Sequence, residues 1–388
     1  MRIYNVQKLF LPQSLKLIAQ TAQASVSFQY KHISSIFLDS QSMEVDLGQI
    51  PFAIDFHPSK NLVASALITG HVHIYCYSKD SESSPTRLLK IKAHSDSCRA
   101  ARFIDNGETI ISASSDRSIL ATNVETGSSL ARLENAHDDA IFSLINIDAS
   151  TIATGDDQGC IKVWDTRQRS CCNTFNAHED YVSDMAFASD SMKLLATSGD
   201  GTLSVCNLQS NKVQTRSEFS EEELLSVVIM KNRKKVVCGT QNGTLMLYSW
   251  GFFKDCSDRF TGLAPNSVDT LVKLDEDRLI AGTESGVISL IGILPNQVLQ
   301  PLAEHSEYPI ERLGLSYDKE FLGSISHDQT LKIWNLEQLL ANSVNENHLD
   351  SDDDMEVDVN PPNFKRAYKN ASKATNAGSN LQNFFADL

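Results

Sequence analysis

His305, Ser324 and Asp328 carry the side chains of a hydrolytic triad: a nucleophile, a base, and a carboxylate to orient the base. The trio does not stand alone. His94, Ser112 and Asp116 repeat it earlier in the chain, and no Gly-x-Ser-x-Gly elbow exposes either serine. A set that recurs along a chain reads as a repeated structural device, not as an active site. His71 and His73 put two imidazoles on one strand face, the beginning of a metal site, but no third ligand follows at a suitable spacing. Neither a phosphate-binding Gly-rich loop nor a dinucleotide fingerprint is present. The expectation is a protein with no catalytic residue, no cofactor and no metal.

The elements that hold these residues follow from a period. Ala93-His94, Ala136-His137, Ala177-His178 and Glu304-His305 place histidines 43, 41 and 127 residues apart, and the last gap is three units of similar length. A second marker keeps the same beat. Alternating stretches end at Tyr75, Thr122, Trp164, Cys206, Tyr248, Ile291 and Trp334, in steps of 47, 42, 42, 42, 43 and 43. The polar insert at 78–86 accounts for the one long step. Stretches such as IKVW at 161–164 and LKIW at 331–334 alternate as half-buried strands do. Asp200-Gly201, Asn242-Gly243 and Ser285-Gly286 supply hairpin turns before them. Repeats of roughly 40–45 residues with four short strands each describe a β-propeller, here with seven blades.

IKVWD at 161–165, taken with the Ala-His and turn spacing, resembles the WD-repeat family over residues 43–337. That resemblance implies a buried hydrogen-bonded set of His, Ser/Thr, Asp and Trp within a blade, paired because unpaired buried polar groups are costly. The last unit carries the full set at His305, Ser324, Asp328 and Trp334. The second has Thr122 for Trp. The third has His137, Thr154 and Trp164, with Gln158 at the Asp position. The fourth has His178 and Asp200, with Ala196 and Cys206 at the other two. The fold class expected is therefore all-β: a seven-bladed WD-repeat β-propeller with a disordered C-terminal tail. Residues 1–42 form an extension that is disordered or not needed for the fold, 43–337 the propeller, and 338–388 an acidic then basic tail. The last unit lacks an outer strand, and Glu337–Leu340 reads as helix. Residues 43–48 (MEVDLG) are expected to supply that strand and close the ring, hiding its edges.

Binding surfaces follow from the same geometry. Residues three and five positions after the His position should face the narrower side, where inner strands begin. They are Ile50, Phe52, Ser97, Arg99, Ala140, Phe142, Tyr181, Ser183, Glu223, Leu225, Asn266, Val268, Tyr308 and Ile310. Phe52, Arg99, Phe142, Tyr181 and Tyr308 are the aromatic and Arg anchors typical of interfaces. On a different motif, Trp164, Asp165 and Arg167 in the run WDTR resemble the WDxR box of propellers that dock onto the damaged-DNA-binding adaptor of cullin-four ubiquitin ligases. That likeness implies that Arg167 bonds to the adaptor. Gln158 departs from the acid that the box prefers.

Charge and cysteine content bound the partners. The formal net charge is −15, which disfavours sequence-wide or sequence-specific nucleic-acid binding but leaves room for a local basic patch. Eight cysteines without a CxxC pair look reduced and intracellular. No apolar run is long enough for a membrane span. The tail clusters acids at Asp350, Asp352, Asp353, Asp354, Glu356 and Asp358, then bases at Lys365, Arg366, Lys369 and Lys373, and ends in FFADL, whose Phe384 and Phe385 read as a docking peptide. Tail, divergent propeller and the stretches AHEDYVSDMAFASDSMKL and LLSVVIMKNRKKVVCGTQNGTLMLYSWGFF together resemble the WD repeat-containing protein 55 family, its plant members most closely. The resemblance implies a protein of the nucleus and nucleolus; a monomeric scaffold, with the cytoplasm as a further location, is expected. It implies work in ribosomal-RNA processing with pre-ribosomal proteins, and for the plant branch binding to the cullin-four adaptor.

Overall fold

Alternating sequence becomes strand in every repeat. The computed structural model describes residues 42–79 and 84–341. The extension before Ser42, part of the blade-one insert, and the tail with Phe384 and Phe385 lie outside the described residues. Among these, twenty-eight strands form seven four-stranded antiparallel sheets. Blade one shows the plan: β2 (Pro51–Phe56), β3 (Leu62–Leu67), β4 (His71–Cys76) and β5 (Thr86–Lys92) pair in chain order from the centre outward. The second strand of each blade is crowded and takes small residues: Ala64, Ser65 and Ala66 are fully buried.

The ring closes as expected. In blade seven β26 (Ile310–Leu315), β27 (Phe321–Ser326) and β28 (Thr330–Asn335) are joined by β1 (Ser42–Asp46) as the outer strand. Met43 lies opposite Ile333, and Val45 opposite Leu331. The strand begins at Ser42, one residue before the predicted boundary. Met43 and Leu47 share one apolar cluster with Leu331, Ile333, Phe56 and Tyr75, so this short strand also seals blade seven against blade one. Each of the seven blade interfaces holds one such cluster. Beyond β28, α1 (Leu336–Ala341) is helical as read, with Leu336 and Leu339 buried beside Trp334. No described helix is long and apolar enough to cross a membrane. All eight cysteines are free, with Cys98, Cys206 and Cys238 buried and Cys76, Cys171 and Cys172 exposed.

Two backbone bonds recur in all seven blades and define two faces. The first ties the turn between the middle strands to the loop entering the inner strand. Ser115 N–H donates to Ser97 C=O (3.0 Å), Asp157 N–H to Ala140 C=O (2.9 Å), and His327 N–H to Pro309 C=O (3.1 Å). The second ties the two turns at the other end, as Thr166 N–H to Ser150 C=O (2.8 Å) and Leu336 N–H to Glu320 C=O (2.9 Å). We call these the entry face and the opposite face. Turn glycines permit the close approach on the entry side. At Gly159 and Gly201 φ is +81° and +74°, and a Cβ would stand 2.4 and 2.2 Å from the carbonyl oxygens of His178 and Ser220.

Candidate protein-interaction faces

The repeated polar set lies inside the blades, not at a reactive surface. In blade seven Trp334 Nε1–H donates to Ser324 Oγ (2.8 Å), Ser324 Oγ meets His305 Nε2 (2.6 Å), and His305 Nδ1 meets Asp328 Oδ2 (2.8 Å). Neither His305 nor Ser324 exposes any surface. A nucleophile sealed between strands and already accepting an indole N–H holds strands together.

Blade three corrects the sequence reading. Its set is complete: Trp164 Nε1–H donates to Thr154 Oγ1 (2.8 Å), His137 Nε2 meets Thr154 Oγ1 (2.7 Å), and His137 Nδ1 meets Asp156 Oδ2 (2.8 Å). The acid is Asp156, two residues before Gln158. It occupies the position at which blade seven has Ser326, and its other oxygen accepts from the backbone N–H of Gln158 (3.0 Å) and Cys160 (2.9 Å). Gln158 points outward and is exposed. Blade four substitutes differently: with Ala196 unable to bond, Ser204 on the next strand meets His178 Nε2 (2.8 Å). His137, Asp156 and Cys160 also bring three ligand atoms within 4.8 Å of one another, but both ring nitrogens are engaged in the hydrogen bonds above.

Burial pushes the Asp156 carboxyl up, but the His137 ring and the Cys160 and Gln158 amides outweigh it and hold the group below its ordinary 3.8. Stability from a depressed carboxyl is present above the unfolded pKa and is lost as pH falls through the folded one. Asp156→Ala is therefore expected to cost about 2–4 kcal/mol at pH 7, and Gln158→Ala no more than about 0.5 kcal/mol. Urea melts at pH 7 and near pH 3 check this: the gap between Asp156→Ala and the parent should narrow at the lower pH.

On the entry face the inner strands, the residues leading into them and one turn bring side chains from four blades into one row. Arg99 Nη1 bonds Asp157 Oδ1 (2.7 Å), and its guanidinium lies 5.4 Å from the Phe142 ring centroid. Phe142 meets Tyr181 at 4.9 Å between centroids, and Tyr181 O–H donates to Glu223 Oε2 (2.8 Å). Arg99, Phe142 and Tyr181 are brought together as members of one half-buried surface. Phe52 is half-buried at the equivalent position of blade one, and Tyr308 stands on the rim, 53% exposed. Ile68 and Phe219 are also exposed apolar residues of this face.

Four of the fourteen face positions are corrected. Ser97 and Ser183 are buried, their hydroxyls bonded to Ser115 Oγ (2.5 Å) and to Leu224 C=O (2.6 Å). Val268 and Ile310 are fully buried between blades. His94, His137 and His178 precede the first inner-strand residue (Cys98, Ile141, Val182) by four, but His305 precedes Ile310 by five. A fixed count from the His position therefore slips by one in the last blades. The residues at the second strand position there are Asp269 and Glu311. Burial pushes the Asp269 carboxyl up to about 6. Glu311 bonds His327 Nε2 (2.9 Å), and this carboxylate raises the His327 imidazole above its ordinary range.

The sequence reading also missed Arg312. Its Nη2 donates to Ser183 C=O (3.0 Å) and its Nη1 lies 3.5 Å from Asp184 Oδ1, linking blade seven to blade four across the channel. With Arg99 and Arg102 it lines a small cavity of about 10 Å³ beside Ala53, Phe142 and Asp184. The signal was readable once strands were aligned. At this third strand position blades one to three and five to six have Ala53, Ala100, Ser143, Ser226 and Thr270, all short.

The WDTR run lies on the opposite face. Trp164 is buried and anchored by Thr154. Asp165 Oδ1 accepts from the N–H of Arg167 (2.8 Å) and Gln168 (2.9 Å), which fixes the turn and leaves Arg167 exposed. It is not joined to the row on the entry face.

Comparison with known proteins agrees with this architecture. A family model described as WDR55 matches residues 42–339, the same span from closing strand to terminal helix. WD repeat-containing protein 55 of Arabidopsis thaliana is 68% identical over 301 residues, covering 78% of this chain and 84% of the relative. The Bos taurus protein of that name is 39% identical over 286 residues, with 74% of each chain covered. The Dictyostelium discoideum homolog is 38% identical over 293 residues, 76% of this chain and 70% of its own. With seven blades, a ring closed by its first strand, and these matches across the whole wheel, the chain belongs to the WD repeat-containing protein 55 family.

Proposed function

We propose that this protein is a non-catalytic scaffold of the nucleus and nucleolus that holds pre-ribosomal proteins during ribosomal-RNA processing and ribosome biogenesis. The observation that supports it is the row from Asp157 through Arg99, Phe142 and Tyr181 to Glu223. It offers two aromatics and an Arg at the entry ends of the inner strands, held in place by their own contacts. Anchors that are already ordered lose little freedom on binding. Depletion of the protein should raise unprocessed ribosomal-RNA precursors on a hybridisation blot. Unchanged precursor levels would refute the role in processing.

A second reading is a substrate receptor that docks through the WDxR box onto the damaged-DNA-binding adaptor of a cullin-four ligase. It is favoured by the buried Trp164, the Asp165-braced turn and the exposed Arg167. An exposed guanidinium on a rigid turn suits a bidentate bond to a partner carboxylate. Arg167→Ala is expected to abolish recovery of the adaptor in a pull-down while leaving the melting curve unchanged. Equal recovery by both proteins, or none by either, removes this reading.

A further inference from the structure

The outer edge of blade one combines two features, both away from the entry-face row and the WDTR turn. The first is a stripe of positive charge. Across β4 and β5 the register sets His71 opposite Lys92, His73 opposite Lys90, and Tyr75 opposite Arg87, so these side chains share one face. Neither strand contains an acid. Arg87, Lys90 and Lys92 are exposed and form no ion pair among the described residues, in a chain whose net charge is −15. The second feature is apolar and lies on the other side of the same strand. Leu89 and Ile91, opposite Ile74 and Val72, face blade two. There a cavity of about 730 Å³ is lined by the apolar Leu62, Leu88, Leu89 and Val124 and by the charged Lys60, Glu108 and Glu125. Leu88 is 53% exposed. Among the described residues nothing pairs with the free edge of β5.

We propose that this edge accepts an extended peptide that alternates acidic and apolar side chains, added as a fifth strand to blade one. A strand laid against β5 sends successive side chains to opposite faces. One set then meets the basic stripe at cross-strand pair distance, and the other enters the cavity beside Leu62 and Val124. The backbone of the peptide satisfies the unpaired amides of β5. The site is separate from the entry-face row, so loss of partners there leaves it intact.

A fluorescent octapeptide alternating Glu and Val, titrated against the full chain by anisotropy, tests this. Binding should be saturable and should weaken about tenfold or more in the Lys90→Glu, Lys92→Glu double variant, which keeps a cooperative melt because it loses one exposed hydrogen bond, Lys92 Nζ to Thr69 C=O. N-methylation of alternate peptide amides should also abolish it, and amide exchange in residues 86–92 should slow when peptide is bound. Three results would overturn the proposal. Equal binding by a block isomer, four Glu then four Val, removes the need for alternation. Equal competition by an oligouridylate of the same charge shows a general polyanion surface. No binding at all shows that the lysines only guard a free edge against aggregation.

Discussion

A chain that begins at residue 49 is expected to lose cooperative folding, whereas one that begins at Ser42 should melt like the full-length protein. The difference is a single strand. Without β1 the edge of β28 is bare, and Met43, Val45 and Leu47 no longer cover Leu331, Ile333 and Tyr75. Burial of Met43 and Leu47 contributes roughly 1.5–3 kcal/mol each. The lost pairing adds to this, so the total is on the order of 5 kcal/mol, comparable with the whole stability of many domains. Met43→Asp makes the same point by one substitution. It places a carboxylate where only 4% of the residue is exposed, and should cost more than about 3 kcal/mol. Glu44→Ala on the exposed side of the strand should cost no more than about 0.5 kcal/mol. Calorimetry on the four proteins would show it. A chain from residue 49 that melts with the parent would mean the ring is closed by something other than β1.

The second large effect concerns binding. Arg99→Glu combined with Tyr181→Ala should release proteins that co-purify from nuclear extract, with apparent affinity falling about 30-fold or more if both are anchors. The charge reversal sets a carboxylate against Asp157, and the truncation removes both the Phe142 contact and the bond to Glu223. Both side chains are partly exposed, so a drop of no more than about 2 kcal/mol in stability is expected. Retention of the same partners by a folded double variant would move the interaction to another surface.

The wheel itself was legible in the chain because two markers kept one beat over most of its length. Closure was legible for a related reason: a unit missing its last strand and a spare strand-like run at the start must satisfy each other. The side-chain detail was less legible. A hydrogen-bond network specifies where a carboxylate must arrive, not which residue delivers it. Asp156 therefore does from one turn position what Asp328 does from another. Ser204 likewise replaces the hydroxyl that Ala196 lacks, from the neighbouring strand. Counting from the histidine located the start of the inner strand where the entry loop kept its length and slipped at Val268 and Ile310, where the loop holds one more residue. Because strand side chains alternate, that single residue turned two expected surface positions into core. Arg312 escaped notice because its partners, Ser183 and Asp184, lie across the channel and more than a hundred residues away in the chain.

The closed wheel carries every assignment of faces made above, and native-state hydrogen exchange followed by mass spectrometry tests it most directly. Amides of Met43–Asp46 should be protected together with those of β27 and β28, opening only with the whole domain. Exchange of this segment at the rate of a free terminus, with β28 behaving as an open edge, would contradict the closed ring.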